Sequence, residues 1–126
     1  MKRQVEQKLQ GLSVDQLVER FTAIALNQDA ALRNDDHAEF NRLYWEMDAI
    51  KKELKNRAGD QRRALLSLYQ HSNMQVRLKA AVATLAVAPD AAREMLQAIA
   101  GSGWFPQAGD AGMLISGLDD GSFRPT

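Results

Sequence analysis

The chain has 126 residues, of which 45% are apolar, 25% charged and 6% aromatic, an ordinary globular composition far from that of disordered segments. Sixteen Lys and Arg offset sixteen Asp and Glu, so the basic excess that marks phosphate-backbone binders is missing and no nucleic-acid partner is expected. Cysteine is absent, which excludes disulfides, thiolate metal sites and cysteine nucleophiles.

Met1-Lys2-Arg3 has the charge of a signal-peptide start, but Gln4, Glu6, Gln7, Lys8 and Gln10 interrupt the apolar stretch that should follow. The runs Ala80 to Ala83 and Leu85 to Pro89 fall far short of the roughly 20 apolar residues of a membrane span. The expectation is a cytoplasmic protein with no membrane partner, its residues 1–11 fraying at the end. Ala, Leu, Gln, Glu, Lys and Arg dominate while Val, Ile and Thr are sparse, which favours helix because unbranched side chains lose little rotamer freedom there.

Ser13 and Gln16 are spaced as a capping box and Leu12 and Leu17 as a hydrophobic staple, so the first helix starts here. Val14, Leu17, Val18, Phe21, Ile24 and Ala25 form its stripe, and it ends near Arg33. Asp35 or Asp36 caps a second helix with Phe40, Leu43, Tyr44, Met47, Ile50 and Leu54 on its buried side, stopped by Gly59. Asp60 caps a third, carrying Leu65, Leu66, Leu68 and Tyr69. Asn73 caps a fourth, with Met74, Leu78, Ala81, Val82 and Leu85 inside, closed by Pro89. Asp90 caps the next, which ends at Gly101-Ser102-Gly103. Four of the eight glycines and two of the three prolines lie in Trp104 to Thr126, so residues 104–126 read as a loop-rich segment. It holds one short helix, Ala111 to Leu118, leaning on the body through Met113, Leu114, Ile115 and Leu118. Short connections make sequence neighbours antiparallel, giving one all-α domain over residues 1–126 with about five main helices plus a short C-terminal one.

Between Asp60 and Ala100, Ala64-Leu65-Leu66-Ser67-Leu68, the turn at Asn73, and Val76-Arg77 with Ala80-Ala81 resemble a HEAT-type repeat, departing from it where Thr84 stands in place of leucine. The whole chain is similar to a small uncharacterised bacterial family of HEAT-like helical domains. The carrying residues are the run Gln75 to Ala81, the ending Pro106 to Met113, Leu118-Asp119 and Gly121. The resemblance implies a HEAT/armadillo-like α-α superhelix of antiparallel hairpins and no reaction. By analogy of fold with helical-repeat immunity partners and adaptors, it implies a non-catalytic protein-binding role.

Trp45, Trp104 and Phe105 are the candidate anchors for a partner protein, with Arg62 and Asp110 as polar contacts. Trp45 is rotated about 100° from Tyr44 and stands either as core margin or as contact surface. Trp104 and Phe105 either lid the core or face a partner. Arg77 is expected to bond an acid or carbonyl of the adjoining hairpin. The basic run Lys51, Lys52, Lys55, Arg57, Arg62 and Arg63 reads as a solvated face. Leu9, Leu12, Leu26 and Leu32 broaden the first stripes and raise a homodimer as the alternative. Asp36, His37 and Glu39 raise a metal-dependent or ligand-binding protein, against the simpler reading of acids gathered at a helix start. No serine-hydrolase elbow or dinucleotide fingerprint is present, and no cofactor is expected.

Overall fold

Side chains that satisfy orphan amides set the helix starts, and the computed structural model, which describes residues 8–126, shows these bonds. Helix α1 (Val14–Arg33) opens on Ser13, whose hydroxyl accepts from the Gln16 amide at 3.1 Å while Gln16 Oε1 accepts from the Ser13 amide at 2.8 Å. The reciprocal capping box is therefore formed. Helix α2 (His37–Asn56) is capped by Asp36, whose carboxylate accepts from the Glu39 amide at 3.1 Å. Helix α3 (Met74–Thr84) is capped by Asn73, whose Oδ1 accepts from the Val76 amide at 3.1 Å. The charged start at Met1-Lys2-Arg3 and most of the expected frayed segment lie outside the described residues; residues 8–10 are helical. Among the described residues every regular element is a helix, in keeping with the all-α reading.

The chain forms two compact units, one ending at Ala64 and one spanning Leu65–Thr126. In the first, Leu17, Phe21, Ile24 and Ala25 of α1 and Leu43, Met47, Ile50 and Leu54 of α2 are buried. These are the three- and four-residue spacings of one helical face. Arg57, just past α2, donates to the Leu9 carbonyl at 3.0 Å, so the end of α2 returns to the start of α1 and the two helices run antiparallel. Tyr44 departs from the expected stripe and is exposed, because it is one residue, about 100°, round from buried Leu43. Helix α2 stops at Asn56, three residues before Gly59, which takes φ 77° in the following turn.

The element after Asp60 is a 3-10 helix, Gln61–Gln70, not an α-helix. Its buried residues Arg62, Leu65 and Leu68 recur at every third position, as three residues per turn require. Asp60 accepts from the Arg62 amide at 3.3 Å and so performs the expected cap.

The second unit packs α3 against α4 (Pro89–Ala100) and α4 against α5 (Gln107–Asp120), around Leu78, Ala81, Leu85, Ala92, Leu96, Ile99 and Ala111. Helix α3 ends at Thr84, before the expected stop at Pro89. Pro89 instead opens α4 from its first turn, where a missing amide costs nothing. Ala88 holds the cap position, so Asp90 lies in the first turn rather than at the cap. Helix α5 begins four residues earlier and ends two later than the sequence suggests. Its glycines cost about 1 kcal/mol each in a helix. Burial of Gln107, Ala108 and Ala111, with Leu114, Ile115 and Leu118 packed on the core, outweighs that cost. Gly121 closes α5 in the left-handed conformation at φ 78°. Arg93 meets Asp119 at 2.6 Å, tying the start of α4 to the end of α5 and making that pair antiparallel.

Candidate functional site

The bend between α4 and α5 is fixed by its own hydrogen bonds. Ser102 Oγ donates to the Ile99 carbonyl at 2.6 Å and accepts from the Trp104 amide at 3.1 Å. The carbonyls of Trp104 and Pro106 accept from Ala108 and Asp110 at 2.9 and 3.1 Å. Backbone on both sides of Trp104 and Phe105 is thus held, yet their side chains stand 64% and 72% exposed. Neither residue lids the core. The Phe105 ring lies over Gly109, where an added Cβ would sit 3.6 Å from Phe105 Cδ1, so the ring rests against the first turn of α5.

Met113 follows Gly109 by four residues on the same helical face and is 76% exposed. The sequence placed it among the residues leaning on the body. Leu114, Ile115 and Leu118 do lean there, and Met113 points away. Its exposure is legible from spacing once the helix is known to start at Gln107, since Ala108, Ala111, Ile115 and Leu118 already fill the inner stripe. Asp110 is exposed beside these residues and makes no ion pair among the described residues. The second unit therefore brings together Trp104, Phe105, Met113 and Asp110 along one bend and the helix it opens.

Two other expected site residues belong to the first unit. Trp45 is 66% exposed, which settles its position as surface, and Tyr44 packs on it edge to face at 5.1 Å. Arg62 is the correction: it is 8% exposed, and its Nε and Nη2 donate to the Asp60 carboxylate at 2.9 and 2.7 Å. That pairing holds the Asp60 carboxyl below its ordinary value and raises the guanidinium. Two of its three guanidinium nitrogens are therefore engaged inside the chain.

Asp36, His37 and Glu39 are each engaged locally. Asp36 caps α2, His37 Nε2 lies 3.2 Å from exposed Asp35, and Arg42 Nε donates to Glu39 at 3.0 Å, a bond that lowers the Glu39 carboxyl. Among the described residues no group of three or more His, Cys, Asp or Glu is gathered as metal ligands. The basic run is laced with acids: Lys52 meets Asp48 at 2.9 Å and Arg57 meets Glu53 at 2.7 Å. Burial pulls the Lys51 ammonium below its ordinary range, with Asp48 opposing and Arg62 adding to the shift. Arg77 donates to the His71 and Ser72 carbonyls at 2.6 and 3.2 Å, so it braces the turn just before its own helix rather than an adjoining hairpin. Of the leucines behind the dimer alternative, Leu9 is buried, Leu12 and Leu32 are half-buried, and Leu26 is exposed.

A cavity of about 350 Å³ opens in the first unit, with Lys8, Arg20, Asn27 and Glu46 around Ile24 and Ile50. This is the lower end of the range for ligand sites. None of the expected site residues lines it. Among the described residues no helix is long and apolar enough to cross a membrane.

The family model described as "Domain of unknown function (DUF2019)" matches residues 15–119. Among solved structures, the chain is similar to the crystal structure of the protein RPA1889 from Rhodopseudomonas palustris CGA009. The two are 54% identical with a TM-score of 0.91, over 94% of this chain and 98% of that one. No curated protein matches the chain.

Proposed function

The chain belongs to the family described as a domain of unknown function (DUF2019), and we propose that it is a non-catalytic protein-binding module of adaptor or immunity type, built from HEAT-type helical hairpins. One observation carries the reading: Trp104 and Phe105 stand largely in water on a bend whose backbone is locked by hydrogen bonds, and Met113 is exposed on the helix that bend opens. Large apolar side chains held rigidly at the surface lose little conformational entropy when a partner covers them, which is the property of binding anchors. The HEAT-type part of the reading is supported by the antiparallel pairs α1–α2 and α4–α5 and by Arg77, which braces the turn before α3. Exposed Trp45 with Tyr44 supplies a second anchor pair in the first unit.

The test is a capture experiment from cells of the source organism with the full chain as bait. Replacing Trp104 and Phe105 together by alanine is expected to release the specifically captured protein while the helical circular-dichroism spectrum is kept. Undiminished capture by the folded double variant removes the bend from the binding surface, and the same substitution at Trp45 assigns or removes the second anchor.

A further inference from the structure

The α4–α5 pair holds Asp90, Glu94, Asp110, Asp119 and Asp120 against a single base, Arg93. That base is engaged by Asp119 at 2.6 Å. Helix α5 itself contains no Lys or Arg. With about 100° between successive residues, Asp120 falls within about 20° of Met113 around the helix and Asp110 within about 60°. All three are exposed, and Phe105 lies over Gly109 on the same side. Asp120 accepts the Ser122 amide at 2.8 Å, and the Ser122 side chain and amide together hold its carboxyl below the ordinary value without adding a positive charge. Beyond the helix, Arg124 turns its Nε to the Gly121 carbonyl at 3.4 Å. One face of α5 thus combines large apolar side chains with the Asp110 and Asp120 carboxylates, neither of which forms an ion pair among the described residues.

This inference rests on the protein-binding reading and narrows its partner. We infer that Trp104, Phe105 and Met113 dock an amphipathic helix of another protein whose apolar anchors are flanked by Lys or Arg, its cations meeting Asp110 and Asp120. A helix laid along α5 reaches apolar and acidic groups within about three turns, the reach of an i, i+4, i+7, i+11 set of side chains. A second copy of the chain is disfavoured as occupant, because a two-fold contact through this face sets its carboxylates near their own copies. Phosphate backbones and acidic peptides meet the same repulsion.

The test uses the full chain and two synthetic helices of about five turns with identical leucine faces, one with a lysine and one with a glutamate polar face. Binding is read by fluorescence anisotropy at about 50 mM and about 500 mM salt. The lysine helix is expected to bind at least about tenfold more tightly than the glutamate helix. That preference should shrink in high salt and in Asp110→Asn, and binding should be lost in the folded W104A/F105A variant. Tighter binding of the glutamate helix, no binding of the lysine helix, or lysine-helix binding unchanged in W104A/F105A each overturns the inference. Equal binding of both helices that disappears in W104A/F105A overturns only the charge class and leaves the docking surface standing.

Discussion

Tyr69 and Thr84 form a partly buried polar contact whose direction follows from counting protons. Their oxygens are 2.6 Å apart, and the Thr84 proton already goes to the Ala80 carbonyl at 2.8 Å, so Tyr69 is the donor. Burial pushes the Tyr69 phenol above its ordinary value. The folded state then keeps its proton longer than the unfolded state, so this contribution is intact below about pH 10 and is lost as pH climbs through the raised value. Tyr69→Phe is expected to cost about 1 kcal/mol at neutral pH and to remove part of the alkaline loss, as urea titrations at neutral pH and above about pH 10 would register. Gln75 and Gln107 give a second residue-scale prediction. Both are 1% exposed, and Gln107 Nε2 donates to Gln75 Oε1 at 3.0 Å. Gln107→Met deprives the buried Gln75 oxygen of that donor and is expected to cost about 1–3 kcal/mol, whereas Gln75→Met and Gln107→Met together should cost less than the sum of the singles. Neither glutamine was visible as an interior residue in the sequence, since polarity alone places such side chains in water. Arg62 misled for the same reason: its burial depends on Asp60 two residues earlier and on a period of three.

At the scale of elements, what was legible was local. Ser13, Asp36 and Asn73 bond amides within three residues of themselves, so the starts of α1, α2 and α3 need no distant contact to be read. The Pro89 and α5 boundaries were not legible. A proline both stops one helix and opens another, and Gly109 reads as loop until the buried face of α5 is known. Helix α5 also yields a paired prediction. A Cβ at Gly112 meets nothing within 4 Å, whereas at Gly117 it would lie 3.1 Å from Phe123 Cβ. Gly112→Ala is therefore expected to stabilise the protein by about 0.5–1 kcal/mol through helix propensity. Gly117→Ala should gain less or lose stability, and thermal melts of the two variants side by side would separate them.

For the molecule as a whole, balanced charge shapes what it can hold. The formal net charge is zero, and Lys52, Arg57 and Arg62 in the one basic run each face an acid at 2.9, 2.7 and 2.7 Å. Gel-shift titration with random-sequence duplex DNA at about 150 mM salt is expected to show no retained complex, because a chain without net positive charge gains little from releasing counterions. Composition and capping chemistry by themselves determined that the chain is helical and where its first helices begin, since these preferences act through a few neighbouring bonds. Only the tertiary structure decided that Trp104, Phe105 and Met113 face water while Arg62 does not. Exposure is a property of which distant side chains arrive to cover a residue, and no spacing along the chain encodes that arrival directly.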